Sequence, residues 1–152
     1  MKKKDNVADV LEVETKSTIA DWMRRVESES DIVGVKLPSA ERSAHLPAMF
    51  RDLVTRLRNP LPLGTRALIS DAAHDHGISR REQGYTAAML VEESRMLQVS
   101  IFQTLQMNLQ RLDASVLLLD VMAIADEVDS QLAQAMTSYV LEPEVDGASV
   151  MP

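Results

Sequence analysis

Residues Tyr85 to Leu112 read YTAAMLVEESRMLQVSIFQTLQMNLQRL, and no glycine or proline interrupts them. Within the stretch Leu90, Leu97, Ile101, Leu105 and Leu112 return at the four- and seven-residue steps of one helix face. At a rise of 1.5 Å per residue the fourth helix, which starts ahead of this run at Ser79, is predicted to be about 45–50 Å long. Asp113 is suited to cap a following helix, in which Leu117, Val121, Ile124, Val128, Leu132, Ala135 and Tyr139 keep steps of three and four. Two such segments joined by a short connection predict a long antiparallel hairpin. A hairpin cannot bury both of its own sides, so the second stripe needs shorter helices or another subunit.

The segments upstream supply those shorter helices. Ser79-Arg80-Arg81-Glu82 has the spacing of a capping box, which places the start of the fourth helix at Ser79. Gly77 just before it reads as a left-handed cap closing a third helix over Thr65 to His76, with Ala67, Leu68, Ala72 and Ala73 facing inward. Residues 60 to 64, Pro-Leu-Pro-Leu-Gly, form a link after a second helix from Ser43 to Asn59. Pro47 sits in its opening turn, where a missing amide hydrogen costs little, and Leu46, Phe50, Leu53, Val54 and Leu57 form its apolar stripe. A first helix from about Asp5 to Glu29 carries Val7, Val10, Leu11, Ile19, Trp22, Met23 and Val26, before a Ser-, Asp-, Gly- and Pro-containing connection from Ser28 to Pro38. The expectation is an all-α bundle of about five helices in one domain, residues 1–142, with a loose acidic tail over 143–152.

Composition agrees with one helical core. A chain of 152 residues fits a single domain. Aromatic residues make up only 3%, so the core must be built from Leu, Val, Ile, Met and Ala. Cysteine is absent, which excludes disulfides, thiolate metal sites and thiol nucleophiles. No apolar run approaches the roughly 20 residues of a membrane-spanning helix. The start, Met1-Lys2-Lys3-Lys4-Asp5, leads into amphipathic sequence without a secretory stretch, so the chain is expected to be cytoplasmic. A net charge of -7 repels a phosphate backbone, so neither nucleic acid nor membrane is an expected partner.

Chemistry-bearing residues concentrate in Asp71-Ala72-Ala73-His74-Asp75-His76-Gly77. Imidazoles and carboxylates ligate metals, and His45 with Asp113 or Asp120 would complete a phosphohydrolase-like set. The preferred reading is plainer: His74 and Asp75 on a solvated face, and His76 closing a helix end against the helix dipole. Haem would need apolar and aromatic walls that the chain barely provides. Ala72 to Ser79 also has the outline of a helix-turn-helix with Arg80 and Arg81 opening the second helix. Gly84 inside that helix and the long Ala-, Leu- and Val-rich continuation argue against it. Glu92 and Glu93 are adjacent and point to different faces, one solvated and one partly buried, with Glu93 able to meet an arginine such as Arg80 from a neighbouring turn or molecule. No serine elbow or glycine-rich phosphate cradle is present, so no catalytic, cofactor or metal residue is assigned.

The run His76-Gly77-Ile78-Ser79-Arg80-Arg81-Glu82-Gln83-Gly84-Tyr85, continued by Leu90-Val91-Glu92-Glu93-Ser94-Arg95-Met96-Leu97, resembles the RsbRD-type N-terminal domain. That family stands at the front of stressosome co-antagonists and of some bacterial sensor histidine kinases. Its pattern of a His-Gly pair, an Arg, a Gly-aromatic pair, then a Glu and a Leu falls on His76, Gly77, Arg80, Gly84, Tyr85, Glu93 and Leu97. Trp22 and His45-Leu46-Pro47 also resemble the family, so the likeness covers roughly residues 15 to 140. The resemblance implies a non-enzymatic sensory or interaction module coupled to a kinase or anti-sigma pathway, with a globin-like arrangement as the alternative to a simple bundle. It implies candidate signal or interaction residues at His76, Gly77, Arg80, Gly84, Tyr85 and Glu93, and no catalytic residue. Relatives of this type continue into an output domain, whereas this chain ends about ten residues after its fifth helix, as an excised or stand-alone sensor would. Met89, Met96, Met107, Met122 and Met136 add adaptable apolar surface to the long helices, along which a homodimer is expected.

Overall fold

Asp113 caps the last helix as expected: its side chain accepts from the amide of Ser115 at 3.0 Å. In the computed structural model, which describes residues 3–65 and 69–141, that helix is α8, Ala114–Val140. Before it come α1 (Val7–Val13), α2 (Thr15–Glu27), α3 (Ser30–Val33), α4 (Ser39–Arg42), α5 (Leu46–Arg58), α6 (Asp71–Glu82) and α7 (Ala87–Met107), with a 3-10 turn at Leu109–Arg111. The described residues contain no strand, only an isolated bridge between Asp5 and Leu112. The all-α fold class is therefore observed. The expected tail at 143–152, and Ala67 and Leu68 of the expected third helix, lie outside the described residues.

The single first helix is two, α1 and α2, joined at Glu14. Asn6 caps α1 by accepting from the Asp9 amide at 2.8 Å. At the join Thr15 Oγ1 donates back to the carbonyls of Leu11 and Glu12 at 2.9 and 3.0 Å, the kind of hydroxyl bonding that bends helices. The connection from residue 28 to residue 38 holds the short turn α3. α5 has the expected proline in its first turn, and Leu46, Phe50, Leu53 and Val54 are buried.

The centre of the chain departs most from expectation. The third helix runs over 71–82 instead of 65–76, and Ser70 is its cap, accepting from Ala73 N at 3.0 Å. Ser70 Oγ also donates to Asp52 at 2.6 Å, tying the cap to α5. Gly77 is not a left-handed cap and Ser79 opens no capping box, because both lie inside α6. The break falls at Gly84, with φ of 91°, where Tyr85 N donates to Arg80 O at 3.0 Å and Gly84 N to Arg81 O at 3.1 Å. That pair of bonds is a Schellman motif, and it needs a residue free to adopt positive φ. Thr86 then caps α7 by accepting from Met89 N at 3.2 Å.

α7 and α8 form the expected antiparallel hairpin. Residues 108–113 join them at one end, and at the other the Tyr139 hydroxyl donates to the Tyr85 carbonyl at 2.6 Å. Leu90, Leu97, Ile101, Leu105 and Leu112 are all buried. α2 lies across α7, held by a 2.6 Å bond between the Thr18 and Thr104 hydroxyls. α6 packs most closely on α8. A Cβ built on Gly77 would lie 2.0 Å from the Ala135 carbonyl oxygen and 2.2 Å from Ser138 Oγ, so only glycine admits this approach.

Candidate functional site

The residues singled out by the resemblance come from α6, the turn after it and α7, and the Schellman turn folds them onto one another. Arg80 lies in the last turn of α6 and is fully buried. Its Nε and Nη2 donate to the two carboxylate oxygens of Glu93 at 2.9 and 3.0 Å, the bidentate geometry that suits a guanidinium. Nη1 donates to Gln83 Oε1 at 2.7 Å, and Nη2 also reaches the Arg42 carbonyl. Because the turn reverses the chain, the Tyr85 ring lies 4.4 Å from the Arg80 guanidinium carbon, in cation–π geometry. Glu93 thus meets Arg80 within one chain, one helix and one turn apart.

Three further groups close the cluster. Arg42, at the end of α4, is buried, donates from Nη1 to the Tyr85 hydroxyl and from Nη2 to the Val35 carbonyl at 2.7 Å. Trp22 Nε1 donates to the Glu93 carbonyl at 3.0 Å, binding α2 to the same turn of α7. His76, one turn before Arg80, places Nε2 3.5 Å from Glu93 Oε1, and its ring meets His45 edge to face with centroids 5.4 Å apart. His76 is therefore mid-helix and buried and does not close the helix end as expected. His74 and Asp75 are exposed, as expected.

Charge balance follows from this packing. Burial acts to raise the Glu93 pKa, but hydrogen bonding from His76 and the charge of Arg80 outweigh it and hold the carboxyl below its ordinary range. Burial and the negative charge of Glu93 push the Tyr85 phenol up to about 12. Burial, with His76 and Arg80 close by, lowers the His45 pKa. Beside His76 and Glu93, walled also by Trp22, Leu97 and Val128, a cavity leaves about 20 Å³ for water centres. That is space for about one water, whereas sites for drug-sized ligands run to about 300–1,000 Å³. His76 Nδ1 is buried without a hydrogen-bond partner among the described residues.

Other candidate readings meet a different geometry. The described residues contain no group of three or more His, Asp or Glu able to hold a metal, so His45, Asp71, His74, Asp113 and Asp120 are not gathered into a ligand set. The helix-turn-helix outline fails because Ala72 to Ser79 is continuous helix and Arg80 is consumed in a buried ion pair. Glu92 pairs with Arg95 on the surface, at 2.7 Å.

Sequence reasoning missed a second buried polar network. Arg56 of α5 donates to Asp126 at 3.0 Å and Glu127 at 3.3 Å, and Gln131 Nε2 donates to Glu127 at 3.2 Å and to the Met49 carbonyl at 3.0 Å. A signal for it existed, since Ile124, Glu127, Gln131, Ala135 and Ser138 share one helical face and are all buried. Arg42 had no such signal: it belongs to a four-residue helix whose place is set by the turns around it.

No helix among the described residues is long and apolar enough to cross a membrane. Comparison with protein-family models, with curated proteins and with solved structures finds no match.

Proposed function

We propose that this chain is a non-catalytic bacterial signal-transduction domain that acts in the cytoplasm, relaying a signal through helix packing and protein contacts to a kinase or anti-sigma-type pathway. The observation that carries this reading is convergence. Six residues chosen for an RsbRD-like pattern, spread over 18 positions from His76 to Glu93, meet around one buried ion pair and the glycine contacts that seat α6 on α8. A buried, multiply bonded arginine favours a particular arrangement of its helices over alternatives, the property a relay needs. Arg80, Glu93, Tyr85 and Arg42 donate and accept among themselves, so they act as a lock between α4, α6 and α7. On this reading the working form is a homodimer with a sensor kinase or anti-sigma-type regulator as partner.

The test is direct binding of the purified chain to the kinase or anti-sigma antagonist encoded beside its gene, with that partner's phosphorylation output read alongside. Binding that changes the output, and is altered by Glu93→Gln in a folded variant, is the expected result. No binding at tens of micromolar, or binding without any change in output, overturns the proposal.

A further inference from the structure

The two buried polar networks meet at the cavity beside His76. Three helices bring a polar side chain to its wall: His76 from α6, Ser94 from α7 and Gln131 from α8. Each arrives with hydrogen-bonding capacity unspent. His76 turns Nε2 toward Glu93, so in the neutral ring the proton sits there and Nδ1, buried and without a partner among the described residues, is left as an acceptor. Gln131 commits its amide nitrogen to Glu127 and to the Met49 carbonyl, and nothing among the described residues donates to its amide oxygen. The Ser94 hydroxyl also makes no hydrogen bond among them, whereas Thr104 and Thr137 donate to the carbonyl four residues earlier in the usual way.

Size, charge and hydrogen-bond count select the occupant. The cavity leaves about 20 Å³ for water centres. One water needs about 10–15 Å³, and an organic ligand far more. Glu93 and Arg80 meet bidentately, so the site calls for no further ion. Two acceptors and one hydroxyl call instead for a neutral molecule that donates twice and accepts once. Buried waters make about three hydrogen bonds to polar groups that would otherwise stay unsatisfied. We infer that one water is bound in this cavity, donating to His76 Nδ1 and Gln131 Oε1 and accepting from Ser94 Oγ.

The water has a structural consequence. Through His76 it reaches the Arg80–Glu93 pair, and through Gln131 it reaches Glu127 and Arg56. Two networks that share no direct hydrogen bond become one, running from α5 and α8 to α6 and α7. Hydrogen bonds arranged in such chains polarise and support one another, so a disturbance of either ion pair is felt by the other. The inference stands whether or not the chain is a signalling domain.

Water-selective nuclear Overhauser and rotating-frame spectra of the full chain test it. The chain has three histidines, and His45→Gln and His74→Gln assign the His76 ring signals by elimination. The His76 Hε1 proton adjoins Nδ1, so a cross-peak from water to it is expected in wild type, with opposite sign in the two spectra as direct contact requires. Val128 lines the cavity and is buried, so Val128→Ile narrows it. That variant should lose the cross-peak and, despite its larger apolar side chain, melt below wild type, because displacing the water strands His76 Nδ1 and Gln131 Oε1. Ser94→Ala should weaken the cross-peak although alanine is the better helix former; circular dichroism verifies that both variants are folded. Absence of the cross-peak in wild type overturns the inference, as does a Val128→Ile protein that melts above wild type, the result of filling a dry cavity. A cross-peak abolished by Ser94→Ala but kept in Val128→Ile is relayed from the serine hydroxyl and overturns it too.

Discussion

Replacing Gly77 with alanine discriminates sharply between two roles for that glycine. In an exposed helix the change would stabilise, because alanine exceeds glycine in helix propensity by about 1 kcal/mol. Gly77 is mid-helix and buried, and its added methyl would lie 2.0 Å from the Ala135 carbonyl oxygen. Ordinary contact begins near 3.4 Å, so α6 and α8 must separate locally by about 1.4 Å. The obstacle is backbone, which a rotamer change cannot relieve. Overpacking of this kind costs about 1–3 kcal/mol and occasionally more, and the size of the clash places Gly77→Ala at the upper end. After the propensity gain the net loss is about 2 kcal/mol, a fall in Tm of about 4–8 °C for a chain of this size. Urea unfolding followed by circular dichroism measures it, with the m-value showing whether the native state stays compact. Stability equal to or above wild type would refute the close α6–α8 contact.

The remaining predictions concern the two buried polar networks. Arg80→Met should cost about 3–5 kcal/mol by leaving Glu93 buried and unpaired, whereas Arg80→Met with Glu93→Leu should recover much of the loss; a double variant as unstable as the single would refute the pairing. Since Glu93 is held below its ordinary value of 4.5, its contribution is complete above that value and is lost as pH falls through the lower folded pKa. Glu93→Gln should therefore flatten the acid limb of the Tm profile, and an unchanged limb would count against the charge assignment. For Glu127 the sign reverses. Burial, outweighing the Gln131 bond and Arg56, raises its pKa, so its contribution is complete below 4.5 and is lost as pH rises through the folded value. Glu127→Gln, which keeps the shape of the protonated acid while Asp126 still pairs with Arg56, should have a Tm at or above wild type at pH 8, with the gap closing toward pH 4. A Tm well below wild type at pH 8 would show that the Arg56 attraction wins.

Much of this fold was legible because its determinants are local. The apolar stripe of α5, the seam of α7 and the Asp113 cap depend on residues within one or two turns of each other along one helix. Where local signals compete, the structure departs from the sequence expectation. Gly77 and Gly84 are both glycines of a kind that can end a helix, and Ser70 and Ser79 are both serines able to cap. The choice between them was made by α8, which excludes any side chain at position 77, and by Asp52, which holds the Ser70 hydroxyl. The candidate residues could be named from their order, but their relation to each other could not. That Glu93 is buried against Arg80 in the same chain depends on the Schellman turn at Gly84 bringing α6 back toward α7.

The sequence by itself determined an all-helical chain with a long hairpin, since periodicity, caps and breakers act over one or two turns and need no knowledge of neighbours. Tertiary structure alone decided where α6 begins and ends, why position 77 must be glycine, and which polar side chains go inside. Burial of a charge is settled by the partners that surround it, and here those partners lie as far apart in sequence as Arg42 from Tyr85 and Arg56 from Glu127.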